Sequence, residues 1–324
     1  MATICIKYRN YPTYSQEHFL CDTLDVCRGI YNSLLNTRKF EYEVSKKSLS
    51  LYDQINAITG YKKEFLELTS VHSQVLQNVA TRVDLAFKAF FRRVKAGDTP
   101  GFPRMKGDGY DSFCYPDTGF AINSKSVRLS KVGVVKAVIH RKIEGTIKTC
   151  TIKRQGQKCF ATFAIEAEAM PLPKNDKAVG IDVGPEKFAT LSNNTYIQNP
   201  RFFRKEEKDL TKAQRKTEKY KKQSQERTKA KKVASRIHER IRNRRHNFIH
   251  QESRKIVNEF GTIVVEQLNV KNISKAPAPK QDADTGEYLP NGASQKAGLN
   301  KSILDAAWSM FRSALAYKAD FLRT

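Results

Sequence analysis

The sequence has no long apolar run, no closely spaced pair of cysteines and few acidic residues for its size. A membrane-spanning helix needs about 20 predominantly apolar residues in a row, and no segment of this chain approaches that length. The opening residues, MATICIKYRNYP, are too polar for the apolar part of a secretory signal. The sequence therefore predicts an intracellular protein with no membrane partner.

The six cysteines, at positions 5, 21, 27, 114, 150 and 159, never form a C-x-x-C pair. Structural zinc sites usually take their ligands from such pairs, so no zinc site is predicted in this chain. Free thiols in a reducing compartment are expected instead.

The chain is strongly basic. Lysines and arginines number 58 against 33 aspartates and glutamates, which gives a formal net charge of +25 and a pI of about 9.8. Such a field favours a polyanionic partner, and nucleic acid is the commonest one. An anionic membrane is the rival, but the sequence shows no long helix with aromatics on one face and lysines on the other.

The first 167 residues combine two kinds of pattern. Residues 2–9 alternate apolar and polar side chains, as a strand does, whereas residues 15–95 repeat apolar side chains at helical spacing. A glycine- and proline-rich boundary at 97–113 precedes short predicted strands, which include 137–143, 146–155 and 159–168. We expect these strands to form a small barrel or sandwich that residues 2–9 join, so that the helices are an insertion.

The rest of the chain begins with a linker, MPLPKND at 170–176. A charged helical stretch is predicted over 203–260, and a final helix from about Asn300 almost to the last residue. The polar segment 274–296 is expected to be a mobile loop. Three strands are predicted, at 178–183, 187–192 and 261–270. The last is expected to be buried because most of its residues are apolar.

Two of these strands carry an acid where the pattern predicts another apolar residue: Asp182 in AVGIDVG and Glu266 in TIVVEQLN. Acids at the ends of central strands hold Mg²⁺ in two-metal nucleases, where ions about 3.5–4 Å apart clamp the attacking and leaving oxygens. The alternative is a strand-end acid that caps a helix or pairs with a lysine. Two acids with matching apolar lead-ins, in a basic protein, favour the Mg²⁺ site.

A nuclease site of this kind normally has a third carboxylate on a later helix or strand. The acids after Glu266 are Asp282, Asp284, Glu287, Asp305 and Asp320. The first three fall in the polar loop, and Asp320 stands almost at the end of the sequence. Asp305 is expected in the first turns of the last helix, where an acid favours the positive helix end. The sequence therefore predicts two metal ligands and no third.

Residues 201–254 carry 20 lysines and arginines against seven acids. Between residues 229 and 245 only Glu239 is acidic, while one apolar stripe continues through Val233, Ile237 and Ile241. One face is expected to pack while the other presents cations to phosphates; a solvated, salt-bridged helix is the alternative. The residues predicted to bind nucleic acid are Lys231, Lys232, Arg236, Arg240, Arg242, Arg244 and Arg245, with Arg104 and Lys106 in the boundary segment.

Six blocks of the sequence resemble, in order, the TnpB (OrfB) family of insertion sequences, relatives of the type V CRISPR effectors. Each block is moderately specific, and together they span nearly the whole chain. They are IKYRNYP, VHSQVLQNVATRVDLAFKAFFRRVKAG, PGFPRMK, VGIDVGPEKFATLSN, RIHERIRNRRHNFIHQESRKIVNEFGTIVVEQLNVKNI and GLNKSILDAAWSMFRSALAYKA.

The resemblance implies an α+β, multidomain fold. Residues 1–10 and 97–172 would form a wedge-type β-barrel, residues 11–96 a helical recognition insertion, and residues 173–324 a RuvC-like RNase H domain without its C-terminal part. The implied partners are a guide RNA from the end of the element and double-stranded target DNA. RNA–DNA pairing would read the target and the protein a short adjacent motif, in the prokaryotic cytosol or nucleoid.

By the same resemblance, Asp182 is the first RuvC carboxylate and Glu266 the second, and together they would hold Mg²⁺. The family continues past the YKA helix into a paired C-x-x-C zinc ribbon and a segment with the third aspartate, whereas this sequence ends at Thr324. We expect weakly held Mg²⁺ and almost no cleavage, because each loss of about 1.4 kcal/mol in transition-state stabilisation slows a reaction about tenfold.

Three hypotheses follow. In the first, this is an RNA-guided DNA-binding protein that acts by occupancy, as a repressor, without effective cleavage; the lack of a third carboxylate favours it. In the second, it is an RNA-guided, Mg²⁺-dependent endonuclease whose missing segment comes from a separate C-terminal partner or is absent from this sequence. The presence of both Asp182 and Glu266 favours this one. The third is a degraded transposon remnant without function.

Overall fold

The structure of the protein is a computed structural model, which describes residues 2–168 and 171–322. The chain divides into two compact units, residues 1–168 and 169–324. Each unit contains helices and a β-sheet, so the predicted α+β class is confirmed. Met170, the first residue of the predicted linker, lies outside the described residues. No helix in the described part of the chain is long and apolar enough to cross a membrane.

Among its described residues, 2–168, the first unit contains three α-helices, a 3-10 helix at Leu66–Ser70 and seven strands of different lengths. The helices are α1 (Tyr14–Ser45), α2 (Leu51–Glu64) and α3 (Ser73–Lys95). The strands are β1 (Ala2–Tyr11), β2 (Ser112–Tyr115), β3 (Phe120–Ile122), β4 (Ser126–Leu129), β5 (Gly133–Val138), β6 (Thr146–Gln155) and β7 (Lys158–Ala167). They form an antiparallel sheet in the order β2-β6-β7-β1-β5-β4-β3.

The first strand lies in the middle of this sheet. β1 pairs with β7 from Ala2 to Asn10 and with the end of β5 from Arg9 to Tyr11. The prediction that residues 2–9 join the later strands is confirmed, and α1 to α3 are inserted between β1 and β2.

The sheet rolls up around its apolar face. Its edge strands, β2 and β3, are joined by residues 116–119, a connection that reaches at most about 18 Å. In a flat sheet, at about 4.8 Å per strand, these edges would be about 29 Å apart. The ring centroids of Phe120 on β3 and Phe163 on β7 are 5.9 Å apart, which places side chains of distant strands in one interior. The seven-stranded sheet is therefore strongly curved.

Hydrogen bonds at the start of α1 fix the direction of this helix relative to the sheet. Thr13 Oγ1 accepts a hydrogen bond from the backbone of Gln16 at 3.3 Å, and Gln16 Oε1 accepts one from the backbone of Thr13 at 3.0 Å. This capping box satisfies two N–H groups at the helix start. The Gln16 amide also donates to the carbonyl of Val134 at 2.9 Å. Leu20 and Leu24 are consequently buried in the core of the first unit.

The strand predicted at 137–143 is wrong in its second half, because β5 ends at Val138. The following residues cross over Tyr8 instead of pairing with a neighbour. The Tyr8 hydroxyl donates to the carbonyl of Arg141 at 2.8 Å, and its ring centroid lies 5.1 Å from that of His140.

The second unit contains a four-stranded sheet, a two-stranded hairpin and five helices among the residues described. The sheet strands are β8 (Ala178–Asp182), β9 (Lys187–Leu191), β10 (Tyr196–Gln198) and β11 (Thr262–Val265), in the order β10-β9-β8-β11. β11 is parallel to β8 and the other neighbours are antiparallel. The helices are α4 (Phe202–Lys219), α5 (Gln225–Glu259), α6 (Val270–Ile273), α7 (Ala293–Ala306) and α8 (Trp308–Leu322). The hairpin strands are β12 (Lys280–Gln281) and β13 (Tyr288–Leu289).

Two apolar clusters stabilise the second unit. The larger one packs one face of the sheet against α5 and α8, with the ring of Phe188 4.9 Å from the rings of both Phe248 and Phe311. The smaller one joins α4 to α5 through Leu210, Ala213, Ile237 and Ile241. Val233, predicted on the same apolar stripe, is 49 % exposed.

The helical stretch predicted over 203–260 is two helices. Ser224 begins α5, and its Oγ accepts a hydrogen bond from the backbone of Arg227 at 3.1 Å. The break after Lys219 lets the apolar stripes of α4 and α5 face each other.

Three further predictions in this unit need correction. The final helix begins at Ala293 instead of Asn300 and breaks at Ala307, whose φ of 57° is left-handed. The predicted loop 274–296 contains the β12–β13 hairpin. The strand predicted at 261–270 is β11 alone, and Val264 is 64 % exposed because only one face of this edge strand packs on the core.

Candidate catalytic carboxylates and nucleic-acid surface

The two predicted metal ligands end two neighbouring parallel strands. β8 and β11 pair in register as far as Ile181 and Val265, and the next residues along the two chains are Asp182 and Glu266. Adjacent strands lie about 4.8 Å apart, and residues in register point to the same face. The structure therefore brings together two acids that are 84 positions apart in the sequence (266 − 182).

Both acids are exposed. Along β8, Val179 and Ile181 are buried, whereas Asp182 is exposed. In β11, Val264 is exposed. Glu266, which follows the strand, is also exposed, and it lines a small pocket with Val265, Trp308 and Phe311. Asp182 also pairs with Thr190 of β9, so it has structured neighbours on both sides.

The donor chemistry fits one Mg²⁺ ion. Mg²⁺ in proteins is usually held by one or two carboxylates and keeps several of its waters. Asp182 and Glu266 provide two carboxylates on rigid strands, and their exposure leaves room for waters and for a phosphate. Among residues 2–168 and 171–322, no group of three or more His, Cys, Asp and Glu side chains is placed to hold a metal ion.

Asp305 has a different environment from the one predicted. It lies near the end of α7, where it is buried, and its carboxylate faces the start of α4. Its oxygens accept hydrogen bonds from the backbone N–H of Phe203 at 2.9 and 3.0 Å and of Arg204 at 3.3 Å. Arg245 Nη2 is 2.9 Å from Oδ1. Asp305 thus stabilises the positive end of α4, and these partners occupy its oxygens.

Asp282 is also engaged locally. Its Oδ1 accepts hydrogen bonds from the backbone of Asp284 at 2.9 Å and of Thr285 at 3.0 Å. These bonds, first that from Thr285, lower the pKa of the Asp282 carboxyl. The acid organises the turn between β12 and β13, while Asp284, Glu287 and Asp320 are exposed.

The predicted cations of α5 divide into two sets. The exposed set makes no ion pair in the described part of the chain and comprises Lys231, Lys232, Arg236 and Arg242. The paired set comprises Arg240, Arg244 and Arg245. Arg240 lies 3.1 Å and Arg244 3.0 Å from the carboxylate oxygens of Glu206, which is buried on α4. The paired set therefore matches the alternative prediction of a salt-bridged helix.

A basic groove runs between α4 and α5. Its cations include Lys229 and Arg236 from α5 and Lys212 and Lys216 from α4, and two acids, Asp209 and Glu226, also line it. The α4 lysines were not predicted, because mixed charges at 205–226 suggested only a solvated helix. The spacing of Lys212 and Lys216 could have indicated a shared basic face, because residues four positions apart lie on the same side of a helix.

In the first unit, the boundary segment with Arg104 and Lys106 is fixed against α1. The amide of Asn32 donates to the carbonyl of Lys106 at 2.9 Å and accepts from its N–H at 2.7 Å. The Lys106 ammonium lies 5.0 Å from the ring centroid of Tyr31. Phe102 packs edge-on against Phe87 of α3 at 5.6 Å. Arg104 and Lys106 are both exposed on this anchored segment.

Residues 162–276 match the model of the OrfB family of IS605 elements, described as a probable transposase. Residues 1–47 match the helix-turn-helix domain model of the same family, although the structure has one strand and one helix there, β1 and α1.

Two relatives match almost the whole chain. The "putative RNA-guided DNA endonuclease InsQ" of Escherichia coli K12 is 30 % identical over 318 residues, 96 % of this chain and 76 % of that protein. A "putative RNA-guided DNA endonuclease" of Streptomyces pristinaespiralis is 31 % identical over 321 residues, 96 % of this chain and 73 % of that protein.

A solved structure of the Cas12f1–sgRNA–target DNA complex is similar in fold, with a TM-score of 0.53 at 10 % identity, over 99 % of this chain and 88 % of that one. The level of identity to the two relatives and the length over which they align show the family. The chain belongs to the TnpB (OrfB) family of insertion-sequence proteins.

Proposed function

We propose that this protein is an RNA-guided DNA-binding protein that carries a guide RNA and recognises double-stranded DNA by pairing and a short adjacent motif. The names of its relatives support the proposal, as does the fold it shares with a protein solved with guide RNA and target DNA. The net charge of +25 suits both partners. In this proposal residues 1–10 and 97–172 are the wedge barrel, residues 11–96 the recognition insertion and residues 173–324 the RuvC-like domain.

The observation that carries the catalytic part is the register of β8 and β11. It pairs Ile181 with Val265, the residues that precede Asp182 and Glu266, and both acids are exposed; these two observations support a Mg²⁺ site acting on a phosphodiester. When bound, Mg²⁺ would stabilise charge on the phosphate and its attacking and leaving oxygens. The two carboxylates would hold and orient the ion, while the exposed cations of α5 would hold the nucleic-acid backbone.

The extent of cleavage is a separate part of the proposal. The described residues supply two carboxylates, whereas sites of this type normally use three. We therefore expect the 324-residue chain, assayed alone, to bind its target and to cleave it slowly at most, which would permit repression by occupancy.

The alternative is a fully active RNA-guided, Mg²⁺-dependent endonuclease whose third carboxylate comes from outside the described residues, for example from a separate C-terminal partner. Two observations favour it. Asp182 and Glu266 directly follow the paired residues Ile181 and Val265, although DNA binding alone does not require two acids that would repel phosphate. Both relatives are also named as endonucleases.

Cleavage separates these possibilities. The chain is produced in cells that also transcribe the end of the element, with the guide segment of that transcript changed to match a chosen target. The RNA that copurifies with the chain is then assayed together with it on plasmid DNA in the presence of Mg²⁺. Any cleavage is expected to fall at least 100-fold in Asp182→Asn and in Glu266→Gln. Glu186→Gln, which removes another exposed carboxylate of the same unit, should retain full activity. Guided cleavage that survives Asp182→Asn would refute the proposed site.

DNA binding tests the guided mechanism itself. A gel-shift titration at fixed salt should show target binding only when the RNA is present and only when its guide segment matches the target. Equal DNA affinity with and without RNA would refute the proposal. Asp182→Asn should bind target DNA at least as well as the original chain, because it removes one negative charge from the DNA-facing surface.

A further inference from the structure

A cavity of about 150 Å³ opens in the first unit where β1, the start of α1 and the β6–β7 hairpin meet. Its inner wall is apolar and is formed by the buried side chains of Leu20, Leu24, Phe113 and Ile152. A cavity of this volume accommodates one six-membered ring. The space therefore has the size and the apolar walls for a single planar ring.

One buried polar group faces this space without a partner. Asn10 lines the cavity and is 1 % exposed, yet its Oδ1 has no hydrogen-bond partner among the described residues. Buried carbonyl oxygens are normally satisfied, and each exception needs an explanation. An N–H donor on a ligand in the cavity would satisfy it.

The rim of the cavity carries cations. Arg154 is exposed there, with Nη1 2.9 Å from the sulfur of Cys21. Arg9 donates from Nη1 to the carbonyl of Cys159 at 3.3 Å, and its guanidinium lies 5.1 Å from the ring centroid of Tyr11. Glu17 is the one acid of the rim in the described residues. Burial raises the pKa of the Cys159 thiol to about 11, so this sulfur adds no negative charge.

We propose that the cavity binds one unstacked nucleobase of a single-stranded segment of RNA. The ring lies between Leu24 and Phe113, an amino or ring N–H donates to Oδ1 of Asn10, and the adjoining phosphate contacts Arg154 and Arg9. Proteins commonly recognise single-stranded RNA through bases splayed into such pockets. The choice of RNA as the source of the base rests on the proposed function, whereas the chemistry of the cavity does not.

The test is calorimetric titration of the full 324-residue chain with AMP, CMP, GMP and UMP, at concentrations up to 10 mM. At least one nucleotide is expected to bind. Asn10→Leu should weaken the binding of that nucleotide at least tenfold. It should leave the melting temperature unchanged or higher, because it replaces a side chain whose buried oxygen is unsatisfied by an apolar side chain of similar size. A role for Asn10 in folding alone would lower the melting temperature and leave nucleotide affinity unchanged.

Arg154→Ala should also weaken binding at least tenfold. The matched control is Arg128→Ala, which removes an exposed arginine from β4 of the same sheet, away from the cavity, and should bind like the original chain. Equal affinity in all four proteins, or no binding at 10 mM, would overturn the proposal. Tighter binding of the matching deoxynucleotide would overturn the assignment to RNA. Since no guide or target DNA is used, a negative result here leaves guided DNA binding standing.

Discussion

Both halves of α5 carry cationic side chains, but these side chains make different contacts. In the first half, Lys231, Lys232 and Arg236 are exposed and make no ion pair with a described residue. From residue 240 onward, Arg240 and Arg244 pair with the buried Glu206. Whether a cation of α5 is exposed or paired depends on which other helix packs against that part of α5.

At the second half, α4 and α7 bring two acids that are almost completely buried. The side chain of Glu206 is 8 % exposed and that of Asp305 is 3 % exposed. A buried carboxylate is unfavourable unless it is paired and hydrogen-bonded. Three arginines of α5 therefore stabilise the fold, and the surface left for a phosphate backbone is smaller than the composition of the helix suggests.

The largest expected change in stability follows from removing the charge of Asp305. Breaking a buried ion pair at one partner costs about 3–5 kcal/mol, and Asp305→Asn leaves Arg245 without its carboxylate and the start of α4 without its acid. We expect the second unit to lose about 3 kcal/mol of unfolding free energy. Urea denaturation followed by the fluorescence of Trp308, the one tryptophan of the chain, reports this unit.

Asp209→Asn is the matched control, because Asp209 is an exposed acid of α4. Its unfolding free energy should stay within about 0.5 kcal/mol of the original. A similar small change for Asp305→Asn would show that the pairing of α5 with α7 contributes little, and the contrast between the two halves of α5 would lose its energetic basis.

A smaller loss is expected for Glu206→Gln. Its partners Arg240 and Arg244 are 49 % and 52 % exposed, so water solvates them when the carboxylate is removed. We expect about 1 kcal/mol of destabilisation, between the values for buried and for surface pairs. Replacing both arginines by methionine in the Glu206→Gln background should then change stability little further, and a large further loss would contradict the pairing.

Lys318 extends the comparison to a buried cation that has neutral partners. Its ammonium donates to the carbonyl of His250 at 2.6 Å and to Oγ of Ser253 at 2.8 Å. Burial, and then the charge of Arg254, lower the pKa of Lys318 to about 8. Between that value and the ordinary lysine range the unfolded chain binds more protons than the folded one, so this group makes stability rise with pH.

The measurement is urea denaturation from pH 7 to pH 10, with Lys318→Met as the reference that cannot titrate at this position. The original chain should gain stability relative to Lys318→Met as the pH rises above about 8, by roughly 1 kcal/mol. A relative loss over the same range would mean that the folded state favours the charged amine.

Replacing all four residues of the exposed set by alanine is expected to have the smallest effect on stability and the largest on binding. The unfolding free energy of this fourfold variant should stay within about 1 kcal/mol of the original. Its affinity for RNA should fall, and the slope of log K against log salt should become less steep by about 3, since each lost phosphate contact removes about 0.7–0.9. The substituted residues are Lys231, Lys232, Arg236 and Arg242.

A fourfold alanine variant in the first unit controls for net charge. Its substituted residues, all exposed, are Lys125, Arg128, Lys131 and Lys136. Equal losses of RNA affinity in the two variants would show that only total charge matters, and the exposed set of α5 would then have no special role as a binding surface.

Much of the local structure could be predicted from the sequence. The apolar–polar alternation of residues 2–9 and the apolar runs before Asp182 and Glu266 correspond to β1, β8 and β11. The boundaries were less predictable. The break between α4 and α5 and the left-handed Ala307 follow from how the helices pack, and helical periodicity continues across both positions.

The sequence by itself determined the residue types of the candidate site: an acid at the end of each of two strands, a basic helix and a charge that suits nucleic acid. Only the tertiary structure decided that β8 and β11 are neighbours, which brings Asp182 and Glu266 together, and that Arg240, Arg244 and Arg245 pair with acids of other helices. The physical reason is the sequence separation over which each kind of interaction acts. Strand and helix patterns arise between residues a few positions apart, whereas these pairings join residues at least 34 positions apart (240 − 206).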